Sequence, residues 1–212
     1  MTRETIRFCP PASDPIWLHI ARHEAAHAVA YVLAAMEIFG NPRGLHGVQI
    51  RPGKTNIVPG RTRPIFCFGV CESTGLYNGV GTGIAEAYVR TKSPFVLDRI
   101  KAAEWEIVAC VAGPFADVFS QGCKSFQSMR WQSRLTRVGT SDFEAAEAVF
   151  KDLRILAGRR AGWVKLLERS RRLVLDNWTA IDALATALLH KNHLEQNEVV
   201  SIVSDHIPAL AA

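Results

Sequence analysis

The stretch Arg22-His23-Glu24-Ala25-Ala26-His27-Ala28 sets two histidines four residues apart, with a glutamate beside the first. On an α-helix such a pair shares one face, with Cβ atoms about 5–6 Å apart, so both imidazoles can bind one metal ion from the same side. Zinc suits two imidazole ligands, and the glutamate of a His-Glu-x-x-His order can act as general base toward the attacking water. His23 and His27 are therefore candidate zinc ligands and Glu24 the candidate base. The plainer alternative is a pair of surface histidines on an amphipathic helix.

Two histidines do not complete a catalytic zinc site, which takes three protein ligands and keeps one position open. Spacing alone leaves Glu86, Glu104, Glu106, Asp117, Asp142, Glu144 and His46 as candidates for the third. Asp142 has a competing explanation. Ser141-x-x-Glu144 reads as a capping box, and an acidic residue in a first helical turn is favoured by the helix dipole.

These side chains need a rigid support. Asp14 followed by Pro15 marks a helix start, and the pattern predicts helix to about Phe39, with Gly40 as a left-handed cap. From Ala25 onward this helix is apolar on most sides, which makes it a core element whose ligands are held by packing. Between Asn41 and Gly83, Val48–Ile50 and Pro64–Glu72 read as short strands, with turns at Pro52-Gly53 and Pro59-Gly60. Gly53-Lys54-Thr55 and the run Gly79, Gly81, Gly83 read as loops, since neither has the context of a phosphate or dinucleotide site.

Ser93-Pro94 opens a second helix with a stripe running from Ile100 to Phe119. Pro114 is expected to kink or break it, and Gln121-Gly122 closes it. Ser125–Thr140 reads as a polar loop. A third helix is expected over Asp142–Leu156, a fourth from near Arg159 to His190, and a last over Gln196–Ser204. The fold class is mainly α with a small β-ribbon beside the metal helix. Residues 1–13 form an extended lead-in and 159–205 the C-terminal helices, all within one domain over 1–212.

With 48% hydrophobic and 21% charged residues, the composition is that of a soluble globular protein. The net charge of +5 is traced to Arg154, Arg159, Arg160, Lys165, Arg169, Arg171 and Arg172, read as the solvated face of one helical segment. No groove-reading module accompanies them, so nucleic acid is not expected as a partner. An odd count of five cysteines and no signal peptide point to a reducing, cytoplasmic setting with free buried thiols. Cys67 and Cys71 fall on one side of the second strand. No apolar run reaches the roughly 18–20 residues of a membrane span, so no membrane is expected.

Four segments, in order, resemble the peptidase domain of the FtsH family of zinc endopeptidases, over most of Pro15–Val203. Arg22–Val29 is similar to that family's metal-helix motif. Val111-Ala112-Gly113-Pro114-Phe115-Ala116-Asp117 resembles its second helix, and Gly139–Ala146 the segment before its third ligand. Ile181–Leu189 with Leu194 and Glu198-Val199 is similar to its C-terminal helices. The resemblance implies a helical zincin-like peptidase with Zn2+ on His23, His27 and Asp142, Glu24 as base and Asp117 behind the ligands. Ala26 and Asp117 depart from the family's usual glycine and glutamate.

The family's ATP-driven ring and membrane helices have no counterpart here, so the expected substrate is a flexible or unfolded protein or peptide segment. A separate ATPase or adaptor could deliver it, and a homo-oligomer stays open. The alternative is a catalytically silent binding or regulatory module derived from such a peptidase. Under the peptidase reading, the strand near Ile65–Val70 would align the substrate backbone by strand addition.

Overall fold

The computed structural model describes residues 13–51, 56–57, 66–77, 81–122, 140–158 and 162–207. The fold is mainly helical, with a small three-stranded antiparallel sheet. Helix α1 (Ile16–Phe39) lies at the centre, packed against α3 (Val96–Ser120), α6 (Trp178–Lys191) and the strands β1 (Leu45–Ile50) and β4 (Gly69–Ser73). Its start follows from Asp14, whose Oδ1 accepts the Ile16 N–H at 2.9 Å. Its end is Gly40 at φ +69°, a conformation that glycine takes without a Cβ penalty.

Small side chains let α1 be covered on several sides. Ala21, Ala25, Ala26, Ala28, Ala30 and Ala34 are fully buried, and α3 answers with Ala103, Ala109, Ala112 and Ala116. Arg22 ties α1 to α6 through Asp182 Oδ1, with Nε at 2.8 Å and Nη2 at 2.6 Å, while its guanidinium lies over the Trp178 ring. Behind α3 pack α4 (Thr140–Ala157) and α5 (Trp163–Asp176), and α2 (Gly81–Arg90) rests on α4. Ser170 of α5 is buried because its Oγ donates to the Val108 carbonyl at 2.9 Å.

The sheet has the order β4-β1-β5, with β5 (His193–Glu195) just before the last helix α7 (Gln196–His206). Val48 of the central strand pairs with Cys71 on one side and Leu194 on the other, and both Val48 and Leu194 are buried. A separate ribbon joins β2 (Asn56–Ile57) to β3 (Phe66–Cys67).

Several expectations need correction. The strand expected over Pro64–Glu72 is divided at Phe68, because β3 pairs with β2 while β4 pairs with β1. Cys67 and Cys71 thus belong to different sheets. Gly81 and Gly83 are not loop: they open α2, which Ala85 anchors by burial. Of the kink or break expected at Pro114, a break does not occur: helix α3 continues through it, with burial from Val111 to Val118 set against the one lost hydrogen bond.

Helix α4 begins at Thr140, so Ser141 lies inside its first turn rather than at its cap. The long fourth helix is two, α5 and α6, divided at Asn177, whose side-chain amide and backbone N–H both go to the Leu173 carbonyl. Of the basic cluster, Arg154 lies on α4 and Lys165, Arg169, Arg171 and Arg172 on α5, while Arg159 and Arg160 lie outside the described residues. Arg169 stacks at 4.0 Å over Trp105, and Arg171 and Arg172 both pair with Glu168.

The lead-in before Ser13, the turns at Pro52-Gly53 and Pro59-Gly60, Gly53-Lys54-Thr55 and most of Ser125–Thr140 lie outside the described residues. Among the described residues, no helix is long and apolar enough to cross a membrane.

Candidate metal centre

Three donor atoms from two distant segments converge beside α1. His23 Nε2 and His27 Nε2 lie 3.1 Å apart, and Asp142 Oδ2 of α4 stands 3.3 Å from the first and 3.9 Å from the second. Donor atoms 2.0–2.1 Å from a tetrahedral zinc ion stand about 3.3–3.4 Å apart, so the triangle has the right size for one. Among the described residues this is the one such group of three.

The protons are arranged for a cation as well. His27 Nδ1 is 2.7 Å from the Ala109 carbonyl, which can only accept, so Nδ1 carries the proton and Nε2 presents a lone pair. His23 Nδ1 donates to Asp117 Oδ2 at 2.8 Å, which turns its Nε2 the same way. Two lone pairs and a carboxylate cannot sit together without a positive charge among them. Burial works against an imidazolium at His23, but the hydrogen bonds to Asp117 and Asp142 outweigh it and hold its pKa well above the ordinary value. For Asp142 burial again works the other way, and His23 and His27 lower its pKa in spite of it. The pocket favours a proton or a metal ion.

Room for an ion comes from Gly113 on α3. A Cβ there would lie 2.4 Å from His27 Nε2 and 2.6 Å from His23 Nε2, in the space where the lone pairs meet. Gly69 plays the same part for Glu24: a Cβ on β4 would be 2.5 Å from Glu24 Cγ and 2.8 Å from its Oε1. Burial raises the Glu24 pKa, against the pull of His23 and His27, which strengthens the carboxylate as a base.

These groups line a cleft of about 590 Å³, whose wall includes Phe68, Gly69, Val70 and Cys71. Strand β4 is at the edge of its sheet and runs along that wall. The cleft floor is fixed by Glu106, which accepts from Tyr31 Oη at 2.8 Å and from the Leu76 N–H at 2.6 Å. Cys71 and Cys110 are half-buried free thiols on the same cleft, and burial pushes both thiols well up, which makes them poor nucleophiles.

Of the candidates that spacing left open for a third ligand, Asp142 joins the two histidines. Glu106 lines the cleft, Asp117 lies behind His23, and Glu86, Glu144 and His46 are exposed and outside the group. Sequence reasoning passed over His19, which also lines the cleft and whose Nε2 is 3.1 Å from Asp117 Oδ1. Its signal was the same four-residue step that links His23 to His27. The Ala109 carbonyl, which orients His27, leaves no trace in residue type.

Compared with known proteins, the chain matches no protein-family model and no curated protein.

Proposed function

We propose that the protein is a zinc-dependent endopeptidase of the helical, zincin-like kind, cutting flexible or unfolded protein segments without ATP of its own. The observation that supports this best is the convergence of two imidazoles and one carboxylate on a volume kept open by Gly113, with Glu24 beside it in a cleft. The resemblance of Arg22–Val29, Val111–Asp117 and Gly139–Ala146 to the FtsH-type peptidases points the same way.

His23, His27 and Asp142 would hold zinc, which supplies a Lewis acid that activates water and polarises the scissile carbonyl. Glu24 takes the proton of the attacking water on its carboxylate and returns it to the leaving amine. Ala109 and Asp117 hold the Nδ1 protons of His27 and His23, which keeps both rings turned toward the ion. Strand β4 would offer the edge that no other described strand covers to an extended peptide, and the missing side chain at Gly69 lets the strand run close to Glu24. A separate ATPase or adaptor would deliver any substrate that is stably folded.

The test pairs metal analysis with cleavage of casein or a peptide library by wild type and Glu24→Gln. About one zinc per chain in both proteins, with cleavage in wild type alone, is the expected result. Equal rates would end the peptidase reading, and zinc without cleavage in either would favour a silent binding module.

A further inference from the structure

On α1, Tyr31 follows His27 by one turn, about 6 Å further along the axis. The other walls of the cleft advance with it. On α3, which runs the opposite way, Asp117 meets His23, Gly113 faces the two donor nitrogens, and Glu106 meets Tyr31. On β4, Gly69 lies against Glu24, and Cys71 comes two residues later on the same face. The cleft therefore continues past the candidate ion site into an end bounded by Tyr31, Cys71, Glu106 and Cys110.

Glu106 supplies the charge of that end. It is only 8% exposed, yet it lines the cleft. Its Oε1 accepts from Tyr31 Oη at 2.8 Å and stands 4.0 Å from Cys110 Sγ. Its Oε2 accepts the N–H of Leu76 at 2.6 Å and of Tyr77 at 3.3 Å. Each of these donors is neutral. A carboxylate held this way is solvated by the fold but keeps its charge, which acts strongly on whatever enters beside it at low dielectric. Asp142 and Glu24 would match the two charges of a zinc ion, and Asp117 lies at the other end against His23. The charge of Glu106 is left over.

We propose that this end of the cleft is a subsite for a lysine or arginine side chain of the substrate, selected by Glu106. The proposal rests on reading the cleft as that of a peptidase. An extended peptide along β4 puts alternate side chains on one face about 6.6–6.8 Å apart. That step matches the one from the candidate ion site to Glu106, so the basic residue falls close to the cleaved bond. Its alkyl stem passes the two thiols. Its cationic head reaches Oε1 on the side where only the weak donor Cys110 Sγ stands.

The test uses blocked peptides that carry lysine, arginine, norleucine or glutamate at each position around the cleaved bond. Binding is measured by fluorescence anisotropy on the whole chain with Glu24→Gln and zinc present, and kcat/KM on the chain that keeps Glu24. Each measurement is repeated with Glu106→Gln, Tyr31→Phe and Cys110→Lys, and circular dichroism checks the fold of each variant. At one position, lysine and arginine should bind about 10–100-fold tighter than norleucine, the worth of a hydrogen bond to a charged group. Glu106→Gln should remove that ratio, since its amide oxygen can still accept both backbone N–H groups while the charge is gone. Cys110→Lys should remove it too, by placing a cation beside an intact Glu106. Tyr31→Phe takes away a donor but no charge, and should keep the ratio. A merely structural role for Glu106 would weaken all peptides alike and leave the ratio unmoved.

Equal binding of lysine and norleucine peptides at every position overturns the subsite, as does a preference that survives both Glu106→Gln and Cys110→Lys. In those cases cleavage by wild type leaves the peptidase reading standing. A lysine preference that depends on Glu106, in a wild type that cleaves nothing, keeps the subsite and ends the peptidase reading. A chain that neither binds nor cleaves any of the peptides removes both.

Discussion

The proposed metal site depends on what is missing at one position as much as on what is present at three. Gly113→Ala adds one methyl group between His27 Nε2 and His23 Nε2. Alanine favours the helix by about 0.5–1 kcal/mol over glycine, so the expected outcome is a folded chain that has lost its zinc, read by metal analysis and circular dichroism. Glu24→Gln should keep the zinc and lose cleavage by about 10²–10⁴-fold, the usual worth of a general base. His23 supplies a pH test. Its pKa in the metal-free fold is raised, so its contribution to stability is complete below the unfolded value near 6.5 and is lost as pH rises through the folded value. Zinc competes with that same proton. Its apparent affinity should therefore fall as pH falls, with proton release on binding, measurable by calorimetry in buffers of different ionisation enthalpy.

Among the elements, β4 and β5 carry the sharpest expectations. Gly69→Pro should leave zinc in place and lower peptide affinity and cleavage, because it disturbs the β4 edge proposed for the substrate backbone and because its Cβ would meet Glu24 Cγ. Leu194→Ala should cost about 2–5 kcal/mol in urea unfolding, since Leu194 is buried opposite Val48. How much of this could be read beforehand depended on how local the signal was. Asp14-Pro15 and Gly40 bracket α1 within two residues, and His23 with His27 need one helical turn to meet, so both were legible. Asn177 was not, because Leu173, Val174, Ile181 and Leu184 continue one apolar face across the break. Strand β5 spans three residues and exists only by pairing with β1. Helix α2 opens on glycines, which propensity assigns to loop. Asp142 stood among seven candidates until the packing of α4 on α3 brought it to the histidines.

At the level of the whole molecule, an ion on this site would join α1 to α4, two helices that otherwise meet across α3. Binding to the folded state alone stabilises it by RT ln(1 + [L]/Kd), about 4 kcal/mol at a thousand times Kd. Chelation should therefore lower the melting temperature of wild type and leave that of His23→Ala unmoved. The central strand β1 completes its sheet with β5, and Arg22 beside the candidate ligand His23 is held by Asp182. A growing polypeptide therefore makes α1 first and its last supports long afterwards. Until residues 182–195 have left the ribosome, Arg22 lacks Asp182 and β1 lacks β5, so under the proposed function a half-made chain would not yet hold a finished centre.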